Sequence, residues 1–182
     1  MYSEAELTRY FMPEIEALAD EQGMTVAEAR AKLAEMYDGY HFSHDVEGVY
    51  NPFCLIKCLN YKDFGSYWFE SGTPSFLIKT LQNQPLELAN MVNGRMVNEW
   101  QFKNYDPDSR NMLPVVYQSG YLTITGFDKE SRLYKLDFPN KEVREGFLET
   151  LLGKFITVPY DDVGLEISNL TAALRGRACF FQ

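Results

Sequence analysis

At 182 residues, with 46% hydrophobic and 24% charged side chains, the chain can bury a sizeable core and is too apolar for disorder. The net charge of −9 resides in residues 1–108, with 8 basic against 17 acidic side chains. That argues against phosphate binding there, because nucleic-acid affinity comes mainly from neutralised phosphates. Residues 109–158, with 7 basic and 6 acidic side chains, are merely permissive, and residues 159–182 hold 2 and 3. Three cysteines, Cys54, Cys58 and Cys179, make no disulfide framework and fit a reducing compartment. There is no signal peptide and no apolar run of the roughly 20 residues a membrane span needs, so cytoplasm is the expected location and no membrane contact is expected.

Ser3 to Glu6 reads as a capping box, in which a hydroxyl accepts from free helix amides and a Glu reaches back. Leu7, Phe11, Ile15 and Leu18 follow at helical spacing, and Pro13 predicts two short helices or one kinked one. Gly23 closes the segment in the left-handed conformation. Thr25 to Glu28 is a second capping box, ahead of a stripe of Val26, Ala29, Leu33 and Met36. Asp38-Gly39 is a turn, and Tyr40, Phe42 and Val49 predict an extended segment that returns on itself. Asn51-Pro52 starts a helix through Phe53, Leu55, Ile56 and Leu59, and Thr73-Pro74 repeats the device.

Over residues 82–111 the apolar pattern fits a strand or a short helix. A helix is predicted over about 110–119, ending at Gly120. Alternation on both sides of a turn at Asp128 to Ser131 predicts a β-hairpin. Asn140 then caps a helix whose Val143, Phe147, Leu151, Leu152 and Phe155 share one face. Helix, hairpin, helix is the order around the wing of a winged-helix module. The expected fold is α+β and mainly helical: a helical lid-like subdomain over 1–108, a winged-helix-like module over 109–158, and a tail over 159–182.

Five blocks occur in register: Met36 to Phe42, Val49 to Phe53, Tyr67 to Pro74, Gln118 to Leu122 and Phe138 to Arg144. Together they resemble the second half of the AAA-ATPase-like family, predicted P-loop proteins that usually carry a C-terminal PD-(D/E)XK nuclease-like domain. The motif positions are Tyr37, Asp38, Gly39, Tyr40, Asn51, Pro52, Trp68, Glu70, Gly72, Thr73, Pro74, Gly120 and Tyr121. A phosphate-cradling loop needs Gly-Lys-[Ser/Thr], and the one Gly-Lys here, Gly153-Lys154, is followed by Phe155. Nor does any lysine have an acidic residue two positions before it, as the nuclease signature requires. The resemblance therefore implies a non-catalytic piece of a longer parent. Its missing domains would be its partners, and ATP and magnesium would bind only in that parent.

Other constellations carry blander readings. His41 and His44 share a loop, where a turn with solvated imidazoles outweighs a metal site. Cys54 and Cys58 fall on one helix face and read as core thiols. Asp106-Pro107-Asp108 and Asp161-Asp162 read as solvated loops. The Tyr-Asp-Gly-Tyr and Tyr-Trp-Phe-Glu-Ser-Gly-Thr-Pro blocks fit aromatic packing around turns, or contact with an ATPase core, with Asp38 and Glu70 the acidic residues of interest. Arg110, Lys129, Arg132, Lys135, Lys141 and Arg144 would be the phosphate contacts of a wing used on DNA. An exposed apolar face would instead meet the missing domains or drive self-association.

Overall fold

The computed structural model describes residues 1–71, 94–106 and 111–155. Helix α1 (Glu4–Tyr10) and helix α2 (Met12–Gln22) meet at Phe11, with Pro13 in the first turn of α2. Pro13 thus begins a second helix instead of kinking one, since its missing N–H costs nothing there. Gly23 closes α2 at φ +64°. Helix α3 (Val26–Tyr37) and helix α4 (Pro52–Tyr61) complete the helical part, and both capping boxes form as expected. Asn51 caps α4 by accepting from the Phe53 and Cys54 amides at 2.9 and 3.4 Å. The buried face of α4 is Cys54, Leu55, Cys58 and Leu59, whereas Phe53 and Ile56 are exposed. The two thiols therefore sit in the core, as their spacing predicts, and behave as small hydrophobes. Burial pushes the Cys58 thiol up to about 12.

A 3₁₀ turn (Trp68–Ser71) follows. Strand β1 (Arg95–Val97) and helix α5 (Glu99–Lys103) come next, then helix α6 (Leu113–Gln118), strand β2 (Thr123–Asp128), strand β3 (Leu133–Asp137) and helix α7 (Lys141–Phe155). The sheet is antiparallel in the order β1-β3-β2, with β3 central and a bulge between Ile124 and Gly126. Strand β1, two helices and a hairpin whose second strand pairs with β1 follow one another, and the whole is α+β and mainly helical. Strand β1 comes from residues that sequence placed with the helical part. Val97 and Phe102 bury against the hairpin core of Leu122, Ile124 and Leu136, which a two-stranded ribbon would leave open on one side.

Two cores result. One gathers Leu7, Ile15, Leu18, Leu33, Tyr37, Tyr50, Cys54 and Leu55 from α1 to α4. The other gathers Tyr40, Val97, Phe102, Val116, Tyr121, Leu136, Val143 and Phe147. Trp68 packs against both. Among the described residues, no helix is long and apolar enough to cross a membrane.

Helix α7 carries Gly146 in its interior, a residue that ordinarily weakens a helix by about 1 kcal/mol relative to Ala. Here a Cβ would lie 2.1 Å from a ring carbon of Phe69, so the helix needs the missing side chain to approach the 3₁₀ turn. Gly146→Ala is therefore expected to destabilise the chain by about 1–3 kcal/mol, the reverse of the usual helical effect. Urea unfolding checks this; a stabilised variant would mean that Phe69 does not pack on Gly146.

Candidate functional site

The sequence blocks converge where the two cores meet. Asn140, the buried cap of α7, accepts from the Val143 amide at 3.1 Å through its side-chain oxygen. Through its amide nitrogen it donates to the Asp38 carbonyl at 2.9 Å. One carboxamide thus starts α7 and fastens it to the Asp38-Gly39 turn, 102 residues away in sequence. Gly39 has φ +95°, and a Cβ there would lie 2.0 Å from the Pro139 carbonyl oxygen. Close backbone approach and a left-handed φ both demand glycine.

Glu142, in the first turn of α7, is 1% exposed. Its carboxylate accepts from the Tyr67 amide and, at 2.7 Å, from the Trp68 amide, capping the 3₁₀ turn from outside. Charge-assisted bonds of this kind are about twice as strong as neutral ones. Tyr40 lies 5.9 Å from Trp68 between ring centroids, and Tyr121 meets Trp68 edge-on at 6.3 Å. Gly120, at φ +80°, brings its backbone against the Trp68 ring. Thr123 completes the seam, its hydroxyl accepting from the His41 amide at 2.7 Å and donating to the His41 carbonyl at 3.0 Å.

Six of the thirteen motif positions, Asp38, Gly39, Tyr40, Trp68, Gly120 and Tyr121, thus meet at one junction. Tyr37 is buried and donates to the Gly65 carbonyl at 2.9 Å. Pro52 opens α4 behind Asn51. Glu70 lies in the 3₁₀ turn, while Gly72, Thr73 and Pro74 lie outside the described residues. Asn140 and Glu142 fell within the last motif block but were not singled out as site positions; a glutamate in a first helical turn is ordinary macrodipole chemistry and hides a longer-range role.

Two polar atoms at the junction are buried without a hydrogen-bond partner: one carboxylate oxygen of Asp38 and the Tyr40 hydroxyl. Burial raises the Asp38 carboxyl above its usual range, with Glu4 and Glu47 adding to it, while the Gly39 amide and His41 oppose the shift. Burial likewise raises the Tyr40 phenol. A carboxylate oxygen left unpaired inside a fold costs stability, so Asp38 is not explained by packing alone.

His44 lies exposed in a turn, as expected, its ring 4.4 Å from that of Phe127 and edge-on to Tyr134 at 5.8 Å, and it is 3.0 Å from Asp45. The His41 ring nitrogen Nδ1 bonds the Val46 carbonyl at 2.9 Å. Among the described residues no group of three or more His, Cys, Asp or Glu is placed to hold a metal ion. At the junction the Tyr67 and Trp68 amides are taken by Glu142, and the Val143 amide by Asn140.

Five of the six cations fall within the described residues. Lys129 and Arg132 lie exposed at the hairpin turn, and Lys135 lies exposed on β3. Lys141 pairs with Glu35 at 3.3 Å, and Arg144 lies 6.0 Å from the centre of the Phe138 ring. Arg110 is outside the described residues. Helix α6, which precedes the hairpin, has no charged residue and buries Leu113, Pro114 and Val116.

Comparison with known proteins yields one relative, an uncharacterized protein in the vnfD 5′ region of Azotobacter chroococcum mcd 1, 28% identical over 164 residues. The match covers 87% of this chain and 28% of that protein, so the chain spans less than a third of its relative's length. No protein-family profile and no solved structure matches the chain.

Asp38 yields a pH-dependent prediction. Its folded-state pKa is raised, so its contribution is fully present below the unfolded value, about 3.9, and is lost as pH rises through the higher folded value. Asp38→Asn removes that loss. The variant is expected to be more stable than the natural chain at pH 7, with the gap closing as pH falls to about 3.5. Thermal unfolding across that range checks it; a variant less stable at pH 7 would show that the Asp38 charge is well accommodated.

Proposed function

We propose that this chain is a non-catalytic lid and coupling module of an AAA-ATPase-like protein, joining a P-loop core to a nuclease-like domain that lie outside it. The observation that carries this reading is the convergence of separated motif blocks on one buried polar seam between two cores. A seam that ties a helical unit to a winged-helix-like unit moves both together, which is what transmission of a nucleotide state requires. The motif shared with the family would then serve as a mechanical joint. The resemblance supplies the family, and the longer Azotobacter relative supports a larger parent.

Neither engine of that family is present in the sequence, which has no Gly-Lys-[Ser/Thr] and no acid-x-Lys. ATP and magnesium belong to the parent in this reading. A DNA-binding wing draws less support, because the helix before the hairpin is uncharged and Lys141 is engaged by Glu35.

Purified chain mixed with magnesium and ATP is expected to release no phosphate above a buffer blank and to cut no duplex. Turnover that disappears on a substitution within the chain, such as Asp38→Asn, would overturn the proposal.

A further inference from the structure

Away from the junction, α5 and the hairpin enclose an open groove of about 730 Å³ lined by Trp100, Lys103, Phe127, Arg132 and Tyr134 among others. Its volume is in the range of ligand sites, about 300–1,000 Å³. Phe127 and Tyr134 line it with ring centroids 4.6 Å apart, and behind them Tyr134 meets the buried Phe102 edge-on at 5.4 Å and Phe102 meets Tyr117 edge-on at 4.8 Å. Such a lining is stiff, because each ring is fixed by the next. Trp100, in the first turn of α5, is 73% exposed. A tryptophan left in water forgoes its large apolar burial, and this residue type is the most frequent anchor of protein interfaces.

The charges at the groove are unequally committed. Lys103 is held by Glu99 one helical turn away. Arg132 has no carboxylate within ion-pair distance among the described residues. The turn that presents it is rigid: Asp128 accepts from the Glu130 amide at 3.0 Å and from the Ser131 hydroxyl, and Arg132 adopts φ +56°. A non-glycine residue at that φ carries a backbone cost, so the turn fixes where the Arg132 side chain leaves the backbone.

We propose that this groove docks an extended peptide segment of a partner protein, with an Asp or Glu carboxylate on Arg132 and a neighbouring apolar residue laid on Trp100. A guanidinium and a carboxylate match as a planar, bidentate pair, and Arg132, which feels Glu99 across the groove but makes no ion pair among the described residues, can take one. Nucleic acid fits less well, since it needs several neutralised phosphates, and Asp128 and Glu130 flank Arg132 on the same turn. This inference does not depend on the coupling role, which concerns the opposite set of contacts.

The test is selection of random twelve-residue peptides displayed on phage against the full chain, followed by fluorescence titration of the best synthetic peptide. Enriched peptides are expected to pair an acidic residue with an apolar neighbour, and to blue-shift the tryptophan emission on binding. Arg132→Gln, Trp100→Ala, and replacement of the peptide's Glu by Gln should each weaken binding about tenfold or more. Both side chains are exposed, so circular dichroism of the variants should match the natural chain. No enrichment above background, binding unaffected by either variant, or salt-sensitive binding of a thirty-base single strand in place of peptide would overturn the proposal.

Discussion

The structure turns on a carboxylate in the wrong place for comfort. Glu142 is buried, and a buried charge is costly unless strong donors surround it. The amides of Tyr67 and Trp68 are such donors, at the start of a 3₁₀ turn that has no cap of its own. Each partner therefore needs the other. Remove the turn and α7 cannot place an acid in its first turn beside a core; remove the acid and two amides are left dry. Next to it, Asn140 performs the same service for the Asp38-Gly39 turn. One helix end thus holds two chain reversals, and through them the two cores.

Local chemistry was legible in the sequence wherever a few neighbouring residues settle the outcome. Ser3 with Glu6, Thr25 with Glu28, Asn51 with Pro52, and the turn after Asp128 each satisfy backbone groups within four residues, and each formed as read. The junction was not legible in that way. Asn140 meets Asp38 and Glu142 meets Trp68 across 102 and 74 residues, and nothing local to either partner encodes the match. A trace was present in Gly146, whose place inside a helix signals a close approach even though the partner, Phe69, cannot be named from it. The buried face of α4 was legible, since the four-residue spacing of Cys54 and Cys58 puts both thiols on one side of a helix, and both are buried. Strand β1 was ambiguous because three residues are too few for either periodicity.

Function follows from the same division of labour. The aromatic blocks serve packing: Tyr40, Trp68 and Tyr121 fill the seam. Asp38 does not serve packing, since one of its oxygens is buried without a partner. Away from the junction lies the groove beside α5 and the hairpin, where Trp100 is exposed and Arg132 forms no ion pair among the described residues.

The central claim is that the seam makes two cores open as one. Native-state hydrogen exchange measures this directly, amide by amide. The slowest amides of α3 and α4 and those of β2 and β3 should share one opening free energy, and Glu142→Ala should lower both by about 2–3 kcal/mol. Hairpin amides that already open well below those of α3 and α4 in the natural chain, with the helical set unmoved by Glu142→Ala, would contradict the account.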